Sequence, residues 1–101
     1  MAYEIVWTKK AAESYNKNIK YLEEKWSEKV IEDFTYKTNK QLELIAIYPY
    51  AAISTPKSKN LRKLLIVKQI SCFYSINETK NRITVHLFWN NFQNPKKLKV
   101  K

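Results

Sequence analysis

Glycine is absent from all 101 residues of this chain. That excludes the glycine-rich phosphate loops and dinucleotide fingerprints, whose close backbone approach needs a residue without Cβ, and it hands the tight turns to asparagine. Histidine and cysteine occur once each, as His86 and Cys72, too few for a protein zinc site, which takes about three or four such ligands. No metal and no cofactor is expected. A lone cysteine also excludes an internal disulfide and fits a reducing compartment, and in a strand pattern Cys72 reads as a small buried apolar residue rather than a nucleophile. The longest apolar run, Leu44 to Ile53, has ten residues and is broken by Pro49, against roughly 20 needed to span a bilayer. The amino terminus, Met1-Ala2-Tyr3-Glu4-Ile5-Val6-Trp7, carries neither a basic n-region nor a long apolar h-region, so no secretory signal is expected. Residues 1–101 are therefore read as one soluble, cytoplasmic domain, with aromatic residues at 14% of the sequence filling much of a small core.

Acids are missing from most of the second half. Residues 1–43 hold eight Asp or Glu against eight lysines, whereas residues 44–101 hold eleven Lys or Arg against Glu78 alone, so the net charge of +10 is carried by the second segment. A local cation of this kind draws in polyanions or an acidic protein. Seventeen of the nineteen basic residues are lysine, a bias that can also produce no more than a solvated surface. It does not explain why residues 44–77 contain no acid, and a functional basic face is the preferred reading.

What is present has clear periodicity. Residues 2–7 alternate as a strand, with Tyr3, Ile5 and Trp7 on one side. Thr8 is placed to cap a helix whose apolar stripe runs Ala12, Tyr15, Ile19, Leu22, Trp26, and Ser27 to cap a second with the stripe Ile31, Phe34, Thr38, Leu42, Ile45. Two helices joined at Trp26-Ser27 form a hairpin whose stripes must be buried against each other or a sheet. Tyr48-Pro49 ends the second helix. Residues 49–59 read as a polar loop, followed by strands Leu61–Lys68, Ile70–Ile76 and Ile83–Trp89. The last two are joined by the asparagine-containing turn 77–82. In the final strand the period of two puts Ile83, Val85, Leu87 and Trp89 in the core and Arg82, Thr84, His86, Phe88 and Asn90 on the other side. The register of 61–68 is open, because a slip of one residue exchanges its exposed cations. Residues 94–101 read as a basic tail.

The order strand, helix, helix, strand, strand, strand carries several local patterns with it. They are the opening Tyr3-Glu4-Ile5-Val6-Trp7-Thr8, the helix start Lys9-Lys10-Ala11-Ala12, Asn60-Leu61-Arg62-Lys63-Leu64, Ile70-Ser71-Cys72-Phe73-Tyr74-Ser75-Ile76-Asn77, Ile83-Thr84-Val85-His86-Leu87-Phe88-Trp89, and Asn94-Pro95-Lys96-Lys97-Leu98. Over residues 3–98 the chain resembles the RelE/ParE superfamily of small toxins from bacterial type II toxin-antitoxin modules. The resemblance implies an α+β fold, β-α-α-β-β-β, with a helical hairpin packed on a small, mostly antiparallel sheet. It also implies growth inhibition relieved by a cognate antitoxin, which should be acidic and partly disordered until it folds over the toxin, giving a hetero-oligomer.

Arg62 and Arg82 stand out in a chain that otherwise uses lysine, because guanidinium binds phosphate or carboxylate in a planar, two-pronged way. By the resemblance Arg62 matches an arginine that opens the second strand and contacts nucleic acid; the competing reading pairs it with Glu13 or Glu24. Arg82 lies at a hairpin base, where a turn-stabilising role competes. His86 is the acid-base candidate by its ordinary pKa. In RNA-cleaving members, however, the proton-transfer groups lie at the end of the last strand and in the tail after it. There this chain has Trp89-Asn90-Asn91-Phe92-Gln93, without the expected Arg, His or Tyr. Lys57, Lys59, Arg62, Lys63 and Lys68 can supply electrostatics to a target or nucleic acid, and Trp89 beside them can stack on a base or a partner, or else close the core. The missing catalytic set favours the ParE-like branch, with DNA gyrase as the candidate target, over a RelE-like messenger RNA endoribonuclease acting on the ribosome, or a non-catalytic nucleic-acid-binding or inactive toxin-like module.

Overall fold

The structure, a computed structural model, describes residues 2–55 and 58–92, and for 53–55 and 58–59 the backbone only. Lys57, the side chain of Lys59 and the basic tail 94–101 lie outside the described residues. The elements in order are β1 (Glu4–Trp7), α1 (Lys9–Lys25), α2 (Glu28–Ile47), β2 (Ile53–Thr55), β3 (Ser58–Val67), β4 (Ile70–Asn77) and β5 (Arg82–Asn90). The strands form one sheet in the order β1-β5-β4-β3-β2, with β1 parallel to β5 and every other pair antiparallel. This is the expected α+β arrangement with one strand added. Residues 49–59 are not all loop: Ile53–Thr55 pairs with β3, which itself begins at Ser58. A short, β-branched stretch bonded on one side reads as polar loop because an edge strand has only one neighbour to satisfy.

Both helices begin where the caps were read. Thr8 Oγ1 accepts from Ala11 N at 3.0 Å and donates to the His86 carbonyl at 3.3 Å, so one hydroxyl starts α1 and ties it to β5. Ser27 occupies the corresponding position before α2 but makes no side-chain capping bond. The α2 stripe is as read, with Phe34, Thr38, Leu42 and Ile45 buried. In α1 the stripe is displaced by one residue at its start: Ala11 is fully buried and Ala12 exposed. The shift brings the polar Asn18 to the buried face, where it has a specific task. Its Nδ2 donates to the Phe88 carbonyl at 2.9 Å, while Phe88 N donates to Ser14 Oγ at 2.9 Å. β1 ends at Trp7, opposite Val85, so without Ser14 and Asn18 the next stretch of β5 would present unpaired backbone groups.

The principal core lies between the helices and one face of the sheet. Leu22, Phe34 and Ile45 meet Ile70, Cys72, Tyr74, Ile83, Val85 and Phe88, all essentially without solvent contact. Trp7, Tyr15, Phe34 and Phe88 form a ring cluster, with Trp7 and Phe88 centroids 5.0 Å apart and Tyr15 and Phe34 5.1 Å apart. Such contacts contribute beyond burial alone. Tyr74 closes the far end, its hydroxyl donating to the Pro49 carbonyl at 2.7 Å. Burial pushes the Cys72 thiol up to about 12, so it stays protonated and acts as a small apolar residue, as read. At the β4–β5 hairpin Asn81 takes a left-handed backbone, φ 50°, which asparagine tolerates in a chain without glycine.

Two substitutions separate these contributions. Phe34→Ala should lower unfolding free energy by about 3–5 kcal/mol through the cavity it leaves. Asn18→Leu, which keeps the volume but removes the donor to Phe88, should cost about 1–3 kcal/mol. Both are read from urea denaturation midpoints; an Asn18→Leu protein as stable as the parent would show that the β5 edge does not need its cap.

Candidate functional site

The face of the sheet turned away from the helices is shaped by a bulge. The hairpin at 77–82 sets Asn77 opposite Arg82, Ile76 opposite Ile83 and Ser75 opposite Thr84, but then Tyr74 faces Val85 and Phe73 faces Leu87. His86 is the extra residue. A β-bulge places two residues against one on the partner strand and changes the phase beyond it. His86 and Leu87 consequently both lie on the outer face, and from there the alternation is reversed. Phe88 and Asn90 turn inward and are buried, while Leu87 and Trp89 turn outward and pack with Leu61 and Phe73 into a second, smaller apolar cluster. The expectation that Leu87 and Trp89 face the principal core, and Phe88 and Asn90 do not, is corrected by this one-residue insertion. Trp89 is half-buried at the margin of that outer cluster.

His86 is held across the face by β4. Its Nε2 lies 2.7 Å from Ser75 Oγ. Partial burial holds the imidazole below its ordinary pKa, so at neutral pH it is uncharged and free to accept a proton. The pair opens onto a groove of about 600 Å³ whose walls include Leu61, Thr84, Asn60 and Tyr50. No carboxylate bonds to His86 among the described residues; the nearest acid in the groove wall is Glu78. The arrangement offers a neutral base beside a hydroxyl, with no partner that fixes the second ring nitrogen as a nucleophilic triad requires.

The candidate cations do not gather around it. Arg62 points to the helix side, because Leu61 takes the outer face of β3 and Leu64 the inner. Its guanidinium donates to the Ala52 carbonyl and lies 4.7 Å from the centre of the Tyr50 ring. It makes no ion pair with Glu13 or Glu24 among the described residues; it fastens the turn that follows α2. Tyr50 in turn donates to the Glu78 carboxylate, and that bond raises its pKa. The single acid of the basic segment thus belongs to an Arg62–Tyr50–Glu78 chain. Lys63 is exposed on the outer face opposite Phe73, which puts it two strands, about 10 Å, from Leu87. Lys68 lies in the β3–β4 turn with its ammonium 5.4 Å from the Trp26 ring. Arg82 pairs with Glu4 at 3.0 Å across β1 and β5 on the surface, an exposed pair of small energetic weight. Of the candidate cations described, then, Lys63 shares the face with His86 and Trp89, while Arg62, Lys68 and Arg82 stand at three different margins; Lys10 and Lys17 of α1 line a groove beside Leu87 and Trp89.

The residues missed by sequence reasoning are Ser75, Tyr50 and the apolar trio Leu61, Phe73 and Leu87. Ser75 was legible in principle, since the hairpin register puts it one step from His86. Leu87 was not, because its face depends on the bulge, nor was Leu61, because the register of 61–68 is open from sequence.

Comparison with solved structures follows this geometry. A chain from the chromosomal ParDE toxin-antitoxin system of P. aeruginosa superposes with a TM-score of 0.69 at 12% identity, covering 88% of this chain and 96% of its own. The isolated RelE toxin of E. coli gives 0.65 at 15% identity, covering 94% and 90%. A YoeB/ParE toxin from Agrobacterium tumefaciens gives 0.62 at 12% identity, covering 88% and 99%. This chain has the RelE/ParE toxin fold. No sequence-family profile matches it, and no curated protein does. The RelE/ParE likeness is thus carried by shape, with both helices and the mixed sheet spanning nearly the whole length of each neighbour.

The depressed pKa of His86 sets a pH dependence. The folded state binds its proton less readily than the unfolded chain, so the contribution to stability is fully present above the ordinary value near 6.5 and is lost as pH falls through the lower folded value. Acidification from pH 7.5 to 5.5 should therefore lower the denaturation midpoint more in the parent than in His86→Gln; equal losses in the two proteins would contradict a desolvated His86.

Proposed function

We propose that the chain is the toxin of a type II toxin-antitoxin module and that it inhibits growth by binding a protein target, in the manner of the ParE-like branch, with DNA gyrase as the candidate. Two lines support a toxin. The solved structures it superposes on are a chain of a ParDE system, RelE and a YoeB/ParE toxin, and the second half of the sequence is a cation. The observation that carries the ParE-like choice is the outer face itself. Leu61, Phe73 and Leu87 form a buried apolar cluster there with half-buried Trp89 at its margin and exposed Lys63 beside it, while Arg62 is engaged on the opposite side. Apolar and aromatic side chains with a few flanking cations suit a protein surface. A phosphate track would need several cations at one place.

A cognate antitoxin that is acidic and disordered until bound completes the module, forming a hetero-oligomer. Its charge would complement the basic segment, including Lys57, Lys59 and the tail 94–101, and coupled folding lets a short chain wrap a large area. The endoribonuclease reading keeps one specific support, the neutral His86 beside Ser75. In that reading His86 moves a proton while Lys63 and the neighbouring lysines stabilise phosphate charge.

Inducible expression in a bacterium separates the two. The ParE-like reading expects filamentous cells and a DNA-damage response with intact messenger RNA, abolished by Trp89→Ala and retained by His86→Gln. Messenger RNA cleavage lost in His86→Gln would replace it with the nuclease. Unimpeded growth from well-expressed, folded protein would overturn the toxin assignment.

A further inference from the structure

The carboxyl-terminal half of α2 is apolar on two sides. Phe34, Thr38, Leu42 and Ile45 face the core, yet Tyr36 is 63% exposed, Ile47 59% and Leu44 44%. On a helical projection Tyr36, Lys40, Glu43 and Ile47 fall in one sector about 60° wide, opposite the buried stripe. Their spacing of four, three and four residues is the spacing of a short helix–helix seam. Among the described residues nothing covers it: the sheet lies on the other side of α2, against the buried stripe.

The seam is symmetric in its chemistry. A large apolar residue stands at each end, Tyr36 and Ile47, and an opposite pair of charges at the centre, Lys40 and Glu43, whose side chains lie 3.8 Å apart and are mostly exposed. A two-fold axis passing between Gln41 and Leu42, perpendicular to the helix, would set Tyr36 against the partner's Ile47 and Lys40 against the partner's Glu43. Leu44 would flank the same contact. A patch that is complementary to itself under a two-fold rotation is what an isologous dimer requires. An acidic antitoxin is a poorer fit, because the seam carries one charge of each sign and offers no net attraction to a polyanion.

We propose that α2 pairs antiparallel with α2 of a second copy of this chain, forming a weak, symmetric homodimer. The central charges then make an alternating ring of four, two lysines and two glutamates, each lysine retaining its own Glu43 while reaching the partner's. Because the seam is on the helical side of the molecule, both outer sheet faces stay open, and the dimer presents two candidate sites at once. Two helical turns bury much less than the roughly 1,200 Å² of a stable interface, so association is concentration-dependent and reversible.

Charge reversal gives the test. Lys40→Glu places four carboxylates around the axis and Glu43→Lys places four ammonium groups there, whereas the double reversal restores alternation. Sedimentation equilibrium of the purified chain, from low to high micromolar concentration, should show the weight-average mass rising from one chain towards two. Each single reversal should weaken association by about tenfold or more, the double variant should recover it, and Ile47→Asn should weaken it regardless of charge. Circular dichroism should show all four variants folded, since the substituted side chains are exposed. A chain that stays monomeric throughout overturns the proposal. So does a dimer that both single reversals leave intact, or one that the double reversal fails to rescue.

Discussion

The backbone of β5 has to find hydrogen-bond partners on both of its edges, and β1 is too short to supply them past Val85. Two devices meet this constraint. Thr8 turns the chain from β1 into α1 while holding the His86 carbonyl, and Ser14 and Asn18, about two and three turns further on, take the N–H and C=O of Phe88. An α-helix therefore finishes the edge that a strand began. The geometry of that junction accommodates an extra residue at His86, and the extra residue decides which side chains go to the core and which to the open face.

The two faces that result are chemically different. Inward of the bulge Phe88 joins Phe34, both fully buried, with the partly exposed Tyr15 and Trp7 packed against them, and the ring contacts add to burial. Outward, Leu87 and Trp89 join Leu61 and Phe73 beside His86 and Ser75. Trp89 and the His86 imidazole, both half-buried, border this buried cluster with Lys63 across two strands, which is the setting of the recognition surface proposed for this face. Its capacity for proton transfer rests on His86 alone. The cationic character of the second half is spread over margins and turns, where it acts at long range on an approaching acidic partner.

Much of this architecture was legible from the sequence. The stripes of both helices, the hairpin turn with its asparagines, and the three long strands are local patterns that the fold keeps. What was illegible has physical reasons. Leu87-Phe88-Trp89 are all large and apolar, so either phase of alternation satisfies the hydrophobic pattern, and only the tertiary seat of α1 on β5 selects one. Neither sequence reading of Arg62, a nucleic-acid contact or a pair with Glu13 or Glu24, found its partners, because the segment it fastens, around Tyr50 and Ala52, lies about ten residues earlier in a stretch that reads as loop. Asn18 lies outside the apolar stripe read for the first helix, and its partner is seventy positions away.

The bulge is the point on which the assignment of the outer face stands, and the Trp89 indole reports it directly. Nuclear Overhauser contacts from its ring protons should connect to Leu61 and Phe73, with Phe88 instead in contact with Phe34 and Tyr15. Contacts from Trp89 to Phe34 or Leu22 would mean that β5 runs without the extra residue at His86, and the outer platform described here would not exist.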